Sequence, residues 1–102
     1  VGPVVLDIGG RFGAAVIHAP EVLAGVEIEI RRERAPWDGT HVALRSRPGS
    51  GAPVCAAVFG CLEEGPYELR LRDRPQDPTV HRVEVLGGRV SETHWPSPAR
   101  LL

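Results

Sequence analysis

The chain has 102 residues, the size of one ordinary domain, and 42% of them are hydrophobic, so a single core can form without staples. It has no run of about 18 apolar residues, which excludes a helical membrane span, and no charged-then-apolar leader. Twelve basic residues, all arginine, stand against 13 acidic ones. That balance lacks the basic excess of a nucleic-acid binder, and no nucleic-acid partner is expected.

In chain order, Val4 to Ile8 is a β-branched run and Phe12 to His18 a second one. The intervening Gly9-Gly10 predicts a hairpin turn. A strand follows that glycine pair, so it is not the helix-capping cradle that a phosphate needs. Ala19 to Gly25 is too short for an independent helix and predicts one helical turn that carries Val22 and Leu23 inwards. Val26 to Arg31 alternates cleanly, with Val26, Ile28 and Ile30 towards a core and Glu27, Glu29 and Arg31 away from it.

Arg32 to Gly39 is a polar loop in which Trp37 either packs over a sandwich edge or stands exposed. Thr40 to Arg45 predicts a strand, and Arg47 to Pro53 a flexible connection. Val54 to Phe59 is a strand broken by Gly60, with Cys55, Ala57 and Phe59 on the core face. Glu63-Glu64-Gly65-Pro66 turns the chain, and Tyr67, Leu69 and Leu71 alternate with Glu68, Arg70 and Arg72. Thr79 to Leu86 and Val90 to Trp95 are two further strands around a Gly87-Gly88 hairpin turn. Residues 96–102 form a C-terminal tail. Seven to eight short strands with turn signals every eight to twelve residues predict an all-β fold, a single antiparallel β-sandwich.

The spacing Phe59-x-x-Leu62-x-x-Gly65-x-Tyr67 resembles the motif of transthyretin-like, carboxypeptidase-regulatory-like and Cna-B-like sandwich domains. In those domains the leucine plugs the sandwich end and the tyrosine opens the next strand. The likeness spans roughly Thr40 to Trp95 and implies an Ig-like or transthyretin-like sandwich. It implies little about function. The chain also resembles a group of small actinobacterial proteins with a DIGG start (Asp7 to Gly10) and an AAVF centre (Ala56 to Phe59), some labelled phospholipase. The chemistry for that label is missing: Pro48-Gly49-Ser50-Gly51 lacks the spacing of a nucleophile elbow.

Four histidines, His18, His41, His81 and His94, fall near predicted strand ends without a metal-binding spacing. If strand ends converge, His18, His41 and Glu27 make a divalent-metal set suited to zinc; otherwise no cofactor is expected. Two cysteines without CxxC spacing, Cys55 and Cys61, point to free thiols and a cytoplasmic setting, with secretion as the alternative. Trp37, Trp95 and Leu101 are candidate interface anchors. The strands Val4–Ile8 and Val26–Ile30 are candidate pairing edges.

The resulting expectation is a non-catalytic interaction or accessory module that pairs with a protein partner or with itself as a homo-oligomer. The alternatives are a small metal-dependent or hydrolytic enzyme with a His/carboxylate site, and a small-ligand carrier at a subunit interface, as the transthyretin-like resemblance implies.

Overall fold

The computed structural model describes residues 8–48, 54–74 and 76–95. Over these residues it is an all-β sandwich of eight strands: β1 (Phe12–His18), β2 (Glu27–Arg32), β3 (His41–Ala43), β4 (Arg45–Arg47), β5 (Val54–Glu63), β6 (Gly65–Leu71), β7 (His81–Val85) and β8 (Val90–His94). They form two four-stranded sheets. Sheet A has the order β4-β5-β1-β8 and sheet B the order β3-β2-β6-β7. All pairings are antiparallel except β1 with β8, which is parallel.

Alternation along the strands builds the core. Ala15 and Ile17 on β1, Ile28 and Ile30 on β2, Cys55, Ala57 and Phe59 on β5, Tyr67, Leu69 and Leu71 on β6, and Val83 and Val85 on β7 all point between the sheets. Ile17, Ile28, Leu44, Leu69 and Val85 are fully buried. Burial of a side chain of this size stabilises the fold by about 1.5–3 kcal/mol. The predicted face of Cys55, Ala57 and Phe59 is as expected, and both cysteines are free, Cys55 buried and Cys61 exposed.

Gly60 does not end its strand. β5 runs on to Glu63, and its register with β1 passes from Ala15↔Phe59 to Gly13↔Leu62, two steps on β1 against three on β5. The extra residue is a β-bulge at Gly60-Cys61. It reverses the alternation, so Phe59 and Leu62 both face the core although they are three residues apart. Glu64 alone then carries the chain from sheet A to sheet B. Gly65 takes a positive φ of 138°, and a Cβ there would run into the Arg32 guanidinium. The Tyr67 hydroxyl donates to the Glu63 carbonyl at 2.6 Å. Arg32 clamps the same corner, donating to the Tyr67 hydroxyl at 3.0 Å and to the Glu64 carbonyl at 3.1 Å. The corner therefore satisfies backbone carbonyls that a one-residue crossover would otherwise leave unpaired.

Several sequence expectations change at the sheet edges. The predicted strand Thr40–Arg45 is split at Leu44, which is buried as the chain passes from β3 in sheet B to β4 in sheet A. Gly87-Gly88 is not a hairpin turn, because β7 and β8 lie in different sheets. The turn crosses the sandwich, and β8 lands parallel to β1. The 3-10 turn Glu21–Leu23 is the expected single helical turn, but only Leu23 is buried; Val22 is 81% exposed. Val26–Ile30 is no edge: β2 lies inside sheet B, between β3 and β6. Trp95 is not an exposed anchor. It is 4% exposed and belongs to the core, with its ring edge-on to His81 at 5.8 Å. The Val4 end of the predicted first hairpin, the 96–102 tail and Leu101 lie outside the described residues. No helix among the described residues is long and apolar enough to cross a membrane.

Candidate functional site

The residues not used by the core lie on the two outer faces, and these differ sharply. On sheet B, neighbouring strands alternate acid and base. Glu29 on β2 is opposite Arg70 on β6, and Arg31 is opposite Glu68. Arg70 Nε donates to Glu29 at 2.8 Å. Arg31 reaches one Glu68 oxygen with Nε at 2.9 Å and Nη2 at 2.8 Å. Arg72 pairs with Glu27 at 3.1 Å, and Arg82 with Glu33 at 2.9 Å. Burial would raise the Glu68 carboxyl, but the Arg34 amide and the Arg31 guanidinium outweigh it and hold it below its ordinary value.

Trp37 lies over this lattice, its ring centre 4.3 Å from the Arg31 guanidinium carbon and 4.2 Å from that of Arg70. The loop that carries it is fixed at both ends. Arg31 donates to the Ala35 carbonyl at 3.1 Å. Asp38 accepts from the Thr40 amide at 3.0 Å and hydroxyl at 2.7 Å, which lowers the Asp38 pKa, the amide bond contributing most. Trp37 is thus a half-buried cover for a charged face rather than for a sandwich edge. Under this cover Glu29 is only 6% exposed, a burial that its arginine partner makes tolerable. Beside Trp37 runs a cleft of about 510 Å³, lined by Glu29, Arg70, Arg72, Arg74 and Asp77. Two of its charged walls are already paired, Glu29 with Arg70 and Arg72 with Glu27.

The outer face of sheet A is apolar. The register puts Ala14, Val16 and His18 of β1 level with Val90, Glu92 and His94 of β8. Val58 is opposite Val16, and Ala56 is opposite His18. The accessible apolar residues of the middle strands are therefore the half-buried Val16, Ala56 and Val58, Ala14 being fully buried, with Phe12, Val54 and Val90 around them 38%, 45% and 40% exposed. Charge stands at the periphery: Arg45 and Arg47 on β4, Glu92 on β8, and Glu63 at the end of β5, opposite Phe12. β4 is three residues long and basic, features that discourage strand addition at that edge.

The structure does not bring the predicted metal set together. Glu27 and His41 are neighbours on the outer face of sheet B, 3.6 Å apart, and Arg72 lies 3.0 Å from both ring nitrogens of His41. His18 is on the outer face of sheet A, across the thickness of the sandwich, about 10 Å between sheets. Among the described residues, no group of three His, Cys, Asp or Glu side chains could hold a metal ion. His18 instead approaches Glu92 at 2.7 Å and stacks on His94 with ring centres 5.0 Å apart. His81 bonds Thr93 at 2.7 Å, tying β7 to β8 across the open side of the sandwich. Burial holds the His81 pKa below its ordinary value, and burial raises the Cys55 thiol.

Alternation revealed which residues leave the core, but not that Trp37 would cover one outer face. The His18–His94 pair depends on the parallel β1/β8 register, which no local pattern encodes. The chain matches no family model, no curated protein and no solved structure.

Proposed function

We propose that this domain is a non-catalytic interaction module that associates with a second copy of itself through the outer face of sheet A. The observation that carries this reading is the asymmetry of the two faces. One has its charges paired and a tryptophan laid over them; the other has half-buried Val16, Ala56 and Val58 ringed by the exposed Phe12, Val54 and Val90, with charge only at its rim. Small side chains let a second flat sheet approach to normal packing distance, about 10 Å.

The occupant is a second copy because the rim is self-complementary. A two-fold axis along the strands lays the β4 edge of one copy over the β8 edge of the other. That sets Arg45 level with His94 and one residue pair from Glu92, in two equivalent places. A two-fold axis across the strands would set arginine against arginine. The transthyretin-like resemblance of Phe59, Leu62, Gly65 and Tyr67 fits a sandwich that pairs through a face, and a ligand-carrying role at such an interface would need the same dimer.

Sedimentation equilibrium tests the reading. The wild-type chain is expected to sediment as a dimer of the 11.0 kDa chain, and Val58→Arg as a folded monomer. A wild-type chain that stays monomeric throughout the millimolar range would overturn it.

A further inference from the structure

We propose that protonation of His18 and His94 opens the dimer, so that self-association through sheet A weakens as pH falls. The switch rests on the self-association reading, since it acts on that interface. Strand register places its parts. Arg45 is opposite Ala56, Ala56 opposite His18, and His18 opposite His94. Residues opposite one another in a sheet share a face, so Arg45, His18 and His94 leave the outer face of sheet A at one level.

Few charged groups surround the two imidazoles. Their rings stack with centres 5.0 Å apart and planes inclined by 27°. Glu92, the next outward residue of β8, meets His18 Nε2 with one oxygen at 2.7 Å. From β5 it is Ala56 that faces His18. From β4 come Arg45 and, one outward position further along, Arg47. The other titratable groups near this end point elsewhere. Cys55 lies in the core, Glu21 accepts from the Ser46 hydroxyl, and His81 bonds Thr93, which alternates with His94 along β8.

With the two-fold axis along the strands, the partner's Ala56 covers His18 and the partner's Arg45 covers His94, the sheets being about 10 Å apart. While both imidazoles are neutral, the β8 side of each contact carries the Glu92 charge and attracts the partner's Arg45 and Arg47. With both protonated its net charge is positive, and attraction becomes repulsion. Exclusion of water from the closed interface also disfavours a charged imidazole. Both effects have one sign: the free chain holds more protons than the dimerised chain. Association is therefore strongest near about pH 8 and is lost towards about pH 5, the range in which histidine changes charge. The two-fold axis repeats the contact, so each effect counts twice.

Sedimentation equilibrium at about pH 8 and about pH 5.5 tests the switch, with circular dichroism recorded on the same samples to follow the fold. The wild-type Kd is expected to rise about tenfold or more at the lower pH. The double variant His18→Gln, His94→Gln should dimerise with nearly the same Kd at both. Arg45→Gln should reduce the rise, and His41→Gln and His81→Gln should keep it in full. A wild-type dimer with one Kd at both pH values would overturn the switch alone, as would a rise that persists in the double variant. A wild-type chain monomeric at both would overturn the self-association reading and the switch with it.

Discussion

The outer faces of sheet A and sheet B are made by the same rule, the residues that alternate with the core, and they end in opposite chemistry. On sheet B the outward residues Glu27, Glu29 and Arg31 of β2 meet Arg72, Arg70 and Glu68 at the end of and along β6, each charge facing its opposite. On sheet A the middle of the face is made by Val16 of β1 and Ala56 and Val58 of β5, with His18 at the strand end. The first arrangement satisfies itself and leaves little for a partner to gain. The second leaves apolar surface in water, and covering it is favourable at about 25 cal/mol per Å². This asymmetry is the ground for the proposed self-association through sheet A.

Disrupting the apolar face should have the largest effect. Val58→Arg places a charge at the middle of sheet A, where burial against a second copy would cost several kcal/mol. The dimer should be lost, while thermal unfolding of the monomer changes little. The equivalent change on the other side, Arg82→Ala, should leave association intact. If the two variants behaved alike in sedimentation, the distinction between the faces would fail.

The next effect belongs to sheet B and concerns stability alone. Arg70→Ala leaves the Glu29 carboxylate, only 6% exposed, without its partner. Breaking a fully buried pair costs about 3–5 kcal/mol; Arg70 is itself partly in water, so about 2 kcal/mol is expected here. Adding Glu29→Gln should recover much of the loss in urea unfolding, because the orphaned charge is gone. A smaller loss follows from Trp37→Ala. Two cation–π contacts at about 0.5–1 kcal/mol each give a decrease of about 1–2 kcal/mol. Neither substitution should alter the dimer.

The smallest effect lies between the faces, at the β7/β8 edge. Burial holds the pKa of His81 below its ordinary value of 6.5, so the unfolded chain takes up a proton there before the folded one does. The His81 contribution is therefore fully present above pH 7. It is lost as pH falls through about 6.5 towards the lower folded value. His81→Gln should flatten that part of the stability profile without touching association. If the wild-type and variant profiles ran parallel between pH 7.5 and 5, the buried, neutral histidine would be wrong.

Much of the frame was legible because it is local. Alternation placed Ile28, Ile30, Leu69 and Val85 inside, and Phe59-x-x-Leu62-x-x-Gly65-x-Tyr67 marked the corner that joins the sheets. The reason both Phe59 and Leu62 face inwards, the bulge at Gly60-Cys61, was misread as a strand end, because a glycine signals either. What stayed hidden depends on distant pairing. Gly87-Gly88 looks like any hairpin turn until β8 is seen beside β1 in the other sheet. That crossover buries Trp95, which local pattern had put at the surface. It also brings His94 to His18, while His41, on β3, lies in the other sheet. The burial of Glu29 was invisible for a similar reason: it needs Trp37, from a loop, to lie across two arginines on different strands.

The measurement closest to the central claim is an isotope-filtered NMR experiment on dimer prepared from mixed labelled and unlabelled chains. The account predicts intermolecular contacts among the methyl groups of Val16, Val54, Ala56 and Val58, with none from the Trp37 ring. Intermolecular contacts centred on Trp37, or none at the sheet A methyls, would contradict it.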